Sequence, residues 1–368
     1  MAQYTRYEKL QKYYKDGTPY EPAEYKKGTN LGVAEYSSIE ECQNSSTPLT
    51  NCIGWKSTDN TLSYSINNTL YSTSNSPLCI DDTVKSLQLG TANPNITELD
   101  LSSFDSSSLT SMEYMFSGNA KLTSLDVSRF NTKNCTSFLS MFENCGNLTS
   151  IDVSNFNTEN CKNFSSMFSN CEKLTSINVS NFNFNNCETI SYMFAFCINL
   201  TSLDTSKFII KNCKGILSAF ERCVNLTSID VSNIDVSNCG NIRSVFEDCR
   251  SLKTLDLSRW NTSKCLSFQR LFKNCRSLTS LDLSSFNTSQ CRTFHEMFYG
   301  CENLETLNLK NFDMLEAGNC KSMFGGCNKL KNIICKQAFK KWCIANQNDI
   351  GLPPAMRNGG TGTWTIVN

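Results

Sequence analysis

Histidine is almost absent: His295 is the only one in 368 residues. A chain with one imidazole has no material for a Ser–His or Cys–His nucleophile pair or for a histidine-rich metal site. Equivalent positions in neighbouring repeats hold Leu139, Ser165, Ser191, Leu217, Arg243 and Gln269, so His295 reads as a bystander without a fixed role. Charge of one sign is lacking too. The 34 basic and 34 acidic residues cancel, which leaves no electrostatic footprint for nucleic acid. Long apolar runs are missing, the longest being of the order of Ile333-Ile334-Cys335, so no segment is expected to insert in a membrane. The opening MAQYTRYEKLQKYYKDG has no apolar stretch of the secretory type. Gly325-Gly326 and Gly359-Gly360 sit in turn contexts and match no phosphate loop. The expectation is a non-enzymatic chain with no catalytic residue, no metal site and no cofactor.

What is present is a repeat. Phe116, Phe142, Phe168, Phe194, Phe220, Phe246, Phe272, Phe298 and Phe324 follow one another at intervals of 26 residues. A fixed period of this length marks a solenoid, in which each coil buries its apolar face only against its neighbours. A second column runs from Ile96 through Leu122, Leu148, Leu174, Leu200, Leu226, Leu252, Leu278 and Leu304 to Leu330. From each of these the pattern is apolar-x-x-apolar-x-apolar-x-x-aromatic, as at Leu148, Ile151, Val153 and Phe156, which reads as a strand. A polar Asn-Thr corner follows, then apolar Cys161, Phe164, Met167, Phe168 and Cys171, whose spacing fits one face of a short helix. The predicted fold class is therefore an α/β repeat solenoid of leucine-rich-repeat type. Its parallel strands, ten at about 4.8 Å spacing, span roughly 45 Å, with one short helix per coil.

Cysteine is abundant, at 21 residues, and its placement is periodic. One column holds Cys135, Cys161, Cys187, Cys213, Cys239, Cys265 and Cys291; another holds Cys145, Cys171, Cys197, Cys223, Cys249, Cys275, Cys301 and Cys327. Both lie in phase with the Phe and Leu columns, which reads as two ladders of buried thiols. Stacked neighbours roughly 5 Å apart also fall within disulfide reach, so bridging stays open. Ligand pairs at short CxxC spacing are missing, which argues against metal.

Along the chain, residues 1–30 form a polar arm expected to be extended, with Tyr4, Tyr7, Tyr13, Tyr14, Tyr20 and Tyr25 interleaved with lysines. These tyrosines are candidate anchors for a docking partner; a tail without a role, or a strand folded back on the chain, is the alternative. Residues 31–93 read as a small β-rich unit that caps the solenoid, 94–335 as the solenoid, and 336–368 as a C-terminal cap of one helix and one strand.

The pattern LTSLDLSSFNTSQCRTFHEMFYGC at 278–301 resembles the BspA-type branch of the leucine-rich repeats, and in particular the surface-protein repeat common in mycoplasmas and gut bacteria. The resemblance covers about 240 residues, and the ending GGTGTWTIV is similar as well. It implies a cell-surface or secreted protein that adheres or binds protein, without catalysis in the repeats. The cysteine columns depart from it, since many such repeats carry Ser, Ala or Val there. The stretch YEKLQKYYKDGTPYEPAEYKKG, followed by EYSSIEEC, resembles the opening of tail and appendage proteins of phages of Bacteroidales, including crAss-like phages. That second resemblance implies a virion protein made in the host cytoplasm. Its arm would attach to other virion proteins, and its solenoid would bind a host-surface protein or glycan. A bacterial cell-surface adhesin is the alternative, and homo-oligomerisation is left open.

Candidate ligand-face residues lie on the outward side of the strands. Asp126, Asp152, Asp204, Asp230, Asp256 and Asp282 share one column with Asp100, interrupted by Asn178. Like charges so close repel modestly, so the bland expectation is that Ser, Thr or backbone groups of adjoining coils offset them. The departures from the repeat, Lys253, Glu305, Arg129, Lys207 and Arg259, are the candidates for specific contacts. The sequons at Asn68, Asn134, Asn147 and Asn261 fall out of the Asn-Thr composition.

Overall fold

The apolar columns dictate where the core sits. In the computed structural model, which describes residues 26–27, 52–57, 62–66, 69–73, 78–79, 85–89, 95–314 and 316–367, all ten members of the Ile96–Leu330 column are at most 1% exposed. The nine phenylalanines of the 26-residue register stack ring on ring. Centroid separations run from 5.5 Å at Phe142–Phe168 to 6.0 Å at Phe194–Phe220, inside the range where offset stacking adds to burial. Each ring thus covers the next, and the core is one continuous column of apolar side chains along the solenoid axis.

The strands are short. β1 (Lys26–Lys27), β4 (Thr69–Thr73), β3 (Leu62–Ile66) and β6 (Leu87–Gln88) form one sheet in that order. β5 (Leu78–Cys79), β2 (Cys52–Ser57) and β7 (Ile96–Ser103) form another, and β7 is the first strand of the solenoid. At the far end β8 (Ser280–Asp282), β9 (Thr306–Asn308), β10 (Asn332–Cys335) and β11 (Thr363–Ile366) are parallel and adjacent. Between β7 and β8 the extended residues carry few backbone bonds across coils, such as Thr149 N–H to the Thr123 carbonyl at 3.3 Å.

The segment expected to be a short helix is a chain of turns. In the coil around Phe142, N–H groups alternate in direction. Those of Met141, Glu143 and Cys145 bond carbonyls three residues back, at Phe138, Ser140 and Phe142. Those of Phe138, Ser140, Phe142 and Asn144 bond Asn163, Ser165, Met167 and Ser169 of the next coil at 2.8–2.9 Å. Two residues per coil take the left-handed conformation, here Ser140 (φ 54°) and Asn144 (φ 61°), and the same two columns repeat at Ser166 and Asn170. An α-helix needs i→i−4 bonds and negative φ throughout. The inward positions Phe138, Met141, Phe142 and Cys145 satisfy the same spacing as a helix face, which is why periodicity alone reads them as one. The α/β solenoid class stands; the one α-helix among the described residues is α1 (Gln337–Ala345) in the C-terminal cap.

Both ends are covered. β2 runs antiparallel along β7, and Leu89 N–H bonds the Met115 carbonyl on the turn side of the first coil. At the other end α1 buries Phe339 and Cys343, and the carbonyls of Asp349 and Ile350 receive the N–H groups of Ser322 and Phe324. Gly351 follows with φ +66°, where an added Cβ would come within 2.9 Å of Gly325 Cα. β11 supplies the last strand. The tyrosines of the arm, Tyr4 to Tyr25, lie outside the described residues.

Candidate binding faces

Two outward surfaces run the length of the solenoid, and the same coils build both. On the strand side each aspartate closes a turn within its own coil. Asp126 Oδ1 accepts the Ser128 N–H at 2.9 Å, Asp152 accepts Ser154 at 2.9 Å, and Asp204, Asp230, Asp256 and Asp282 repeat the bond with the serine two residues on. The recurring hydrogen-bond partner thus comes from the same coil; Asp282 alone adds a side-chain bond from Asn308 of the next coil among the six. The motif is an Asx turn, which asparagine performs equally at Asn178 and Asn308. The bonds from Ser128, Ser154 and Ser206 hold the carboxyls of Asp126, Asp152 and Asp204 below the usual carboxylate range. Arg129, Lys207 and Arg259 lie beside this column and add attraction to Asp126, Asp204 and Asp256 respectively. Arg129 also donates to the Ser102 carbonyl, and Glu305 pairs with Lys331 of the next coil at 2.6 Å. Lys253 is exposed.

The corner between strand and turns is a set of polar ties that sequence reading passed over as composition. Thr158 is 1% exposed; its Oγ1 donates to the Asn183 carbonyl at 3.2 Å and accepts the Asn183 N–H. Thr262 and Thr288 make the same two-way tie to Asn287 and Asp313. The sequon residues Asn134 and Asn147 donate their side-chain amides to the carbonyls of Ser107 and Ala120, one coil back. The signal was available: an Asn or Thr kept in phase with buried columns has a partner in the neighbouring coil.

The eighteen cysteines from Cys135 to Cys343 are free and buried. Each thiol of the second column points at a carbonyl of the preceding coil: Cys145 Sγ lies 3.2 Å from the Phe116 oxygen and Cys301 3.0 Å from that of Phe272. Burial pushes thiols such as Cys135, Cys145 and Cys197 up to about 12, so they stay protonated and able to donate, whereas a bond from Cys239 lowers Cys213.

The turn side is different in kind. Its inward positions are as regular as the strand's, but its outward positions change from coil to coil. The column of His295 holds Leu139, Ser165, Ser191, Leu217, Arg243, Gln269 and Lys321, and the column of Tyr299 holds Glu143, Glu221, Glu247, Lys273 and Gly325, with Ser169 and Ala195 of that column buried. Toward the middle the surface is apolar, with half-buried Tyr192, Phe196, Ile198 and Leu217, and the Arg222 guanidinium 5.2 Å above the Phe196 ring. Two coils further on it is ionic. Glu296 accepts from Arg270 at 2.9 Å and from Lys273 at 2.7 Å, and Lys273 sits 5.5 Å from the Tyr299 ring. Burial raises the Glu296 carboxyl, but bonds from Lys273 and Arg270 outweigh it and leave the group below its ordinary value. His295 belongs to this surface, with Nδ1 3.1 Å from the Lys321 carbonyl and Nε2 3.8 Å from Glu296. Among the described residues no three potential metal ligands cluster, and no helix is long and apolar enough to cross a membrane.

Comparison with known proteins adds the following. The family described as "Mycoplasma protein of unknown function, DUF285" matches residues 87–209 and 211–339. Among solved structures the chain is similar to a leucine-rich repeat protein from Bacteroides ovatus ATCC 8483, at 20% identity and a TM-score of 0.36. That match covers 68% of this chain and 66% of the other. No curated protein matches.

Proposed function

The chain belongs to the DUF285 family, and from that premise we propose that it is a non-catalytic interaction solenoid, displayed at a cell surface, that binds protein or glycan through its turn face. The observation that carries this reading is the contrast in outward variation. Strand-side aspartates are engaged by their own coil's backbone, whereas the turn face changes chemistry every 26 residues over a rigid frame. A partner without a 26-residue repeat of its own needs a surface that varies, and large aromatic or Arg anchors such as Tyr192, Phe196 and Arg222 are the side chains that dominate such contacts. The test is binding to a panel of host extracellular-matrix proteins and surface glycans with two double variants. Leu217→Ser with Arg222→Ser should weaken binding at least tenfold, and Asp152→Asn with Asp204→Asn should change it less than twofold. The reverse ranking would assign binding to the strand face and its candidates Asp126 to Asp282.

A second reading is favoured by the thiols. Columns of protonated, carbonyl-bonded cysteines suit a protein that folds in a reducing compartment, as a virion appendage made in a host cytoplasm would. In that reading Tyr4 to Tyr25 dock the arm into the particle and the solenoid meets the host. Mass spectrometry of density-banded particles against washed cells separates the two: recovery with particles favours the virion, and recovery on intact cells favours the surface protein.

A further inference from the structure

The two ends of the strand side differ. At the start, β2 already pairs along β7. At the finish, β11 is the outermost strand and pairs only with β10 among the described residues. Thr363 N–H bonds the Lys331 carbonyl and Val367 N–H the Cys335 carbonyl, so residues 363, 365 and 367 turn their backbone groups toward β10. In a strand the intervening residues, Trp364 and Ile366, turn theirs the other way, to the open edge. Their side chains continue the core columns, Trp364 opposite Ile333 and Ile366 opposite Cys335, and Ile366 is left 41% exposed. Exposed edges are normally blunted by charge, proline or a bulge. The stretch GGTGTWTIV carries no charged residue and no proline.

We propose that this edge is a homotypic interface: β11 pairs antiparallel with β11 of a second copy about a twofold axis through Thr365. Symmetry selects the occupant. A head-to-tail stack needs two complementary open edges; at the other end the sheet runs on from β7 through β2 to β5, whose two residues are too few to pair the four of β11, so the pair that fits is isologous and closed. The strand is self-complementary in the required register. Trp364 and Ile366 flank Thr365, so each exchanges two N–H···O=C bonds across the axis with the other residue of the second copy. The same register sets Trp364 against the partner's Ile366 on the core side and Thr365 against the partner's Thr365 on the outer side. Four backbone bonds and one small apolar contact make a modest, concentration-dependent dimer, smaller than a standard interface. It would carry two solenoids and so two copies of whatever face binds.

Sedimentation velocity of the full chain under reducing conditions, across a hundredfold range of concentration, should show a monomer–dimer equilibrium. Ile366→Lys should raise the dimer dissociation constant at least tenfold without changing thermal unfolding. Thr365→Cys supplies a test of register that needs no loss of fold. Directly opposed residues of a non-hydrogen-bonded antiparallel pair lie about 4.5 Å apart at Cα, within disulfide reach. Oxidised glutathione should therefore yield a covalent dimer, with the 365–365 peptide found by mass spectrometry, while Thr363→Cys should not cross-link. A chain that is monomeric at every concentration, a dimer indifferent to Ile366→Lys, or cross-linking through position 363 in place of 365 would each overturn the proposal.

Discussion

The strand face and the turn face of this solenoid are made by the same coils under different constraints. On the strand side the outward residues are tied into the backbone, because each aspartate accepts the N–H two residues on and so sets the corner that follows. On the turn side the backbone bonds alternately within the turn and to the next coil, one Ser, Asn or Thr per coil, as at Asn163, Thr189 and Asn241, accepts the N–H two residues on, and the outward columns of His295 and Tyr299 share no such duty. Regularity on one side and variety on the other follow from where the hydrogen bonds are. The lesson is general for repeats: an outward column that never changes is usually holding the coil together.

The comparison can be broken first by one substitution made on both sides of the core. Leu200→Asp buries a carboxylate in a column shared by neighbouring coils, where the leucine is 1% exposed. It should cost more than about 4 kcal/mol and unfold several coils together. Leu217→Asp, on the turn surface, should cost under about 1 kcal/mol; thermal and urea unfolding of the two variants measure the difference.

The thiol columns give the next largest effect. Folded thiols such as Cys135, Cys161 and Cys291 lie at about 12, and Cys265 at about 11, above the unfolded value near 8.5. A group raised in the folded state contributes stability that is complete below its unfolded pKa and is lost as pH rises toward its folded one. Each such thiol then loses about 1.4 kcal/mol per pH unit. Unfolding monitored by circular dichroism should therefore set in sharply between about pH 9 and 11, and iodoacetamide should label the buried cysteines only in step with it.

Thr158→Val is smaller. It keeps the shape but leaves the Asn183 N–H and carbonyl without the hydroxyl that serves both, at a cost of about 1–3 kcal/mol in urea unfolding. Smallest is Asp152→Asn, since an amide oxygen can accept the Ser154 N–H as Asn178 does for Ser180; urea unfolding at neutral pH should be unchanged within error. Its sharper reading is in pH. Carboxyls such as Asp126, Asp152 and Asp204 are lowered in the folded state, so their stabilisation is present above the unfolded value and fades as pH falls through the folded one. Replacing all three with Asn should flatten the loss of stability below about pH 4; an unchanged acid limb would count against the Asx turns as its source.

Much of the architecture was legible before any coordinates. Ile96 to Leu330, Phe116 to Phe324 and both cysteine columns were placed inside, and they are buried. The helix was misread because Phe138, Met141, Phe142 and Cys145 have helical spacing in a segment that is a series of turns. A signal for it was there in the Asn or Gly that recurs at Asn144, Asn170, Asn274, Gly300 and Gly326, residues suited to positive φ. The candidate aspartates were found as a column, but their hydrogen-bond partners were expected one coil away and lie two residues away. The varied turn face was in the sequence as well, hidden by the assumption that a helix's outer side varies for no reason.

By itself the sequence determined the period, the inside and the outside of every coil, and the stacking of like on like. Burial repeats with the chain and needs only a fixed register to be read. The tertiary structure decided what local pattern cannot carry. Left-handed residues are tolerated in the turns because the N–H groups around them find carbonyls in the next coil, and among the described residues β2 and β5 lie beyond β7 at one end of the strand side while β11 is outermost at the other. Those outcomes depend on partners 25 residues away or more, and a hydrogen bond across that distance leaves no mark on the spacing of apolar residues.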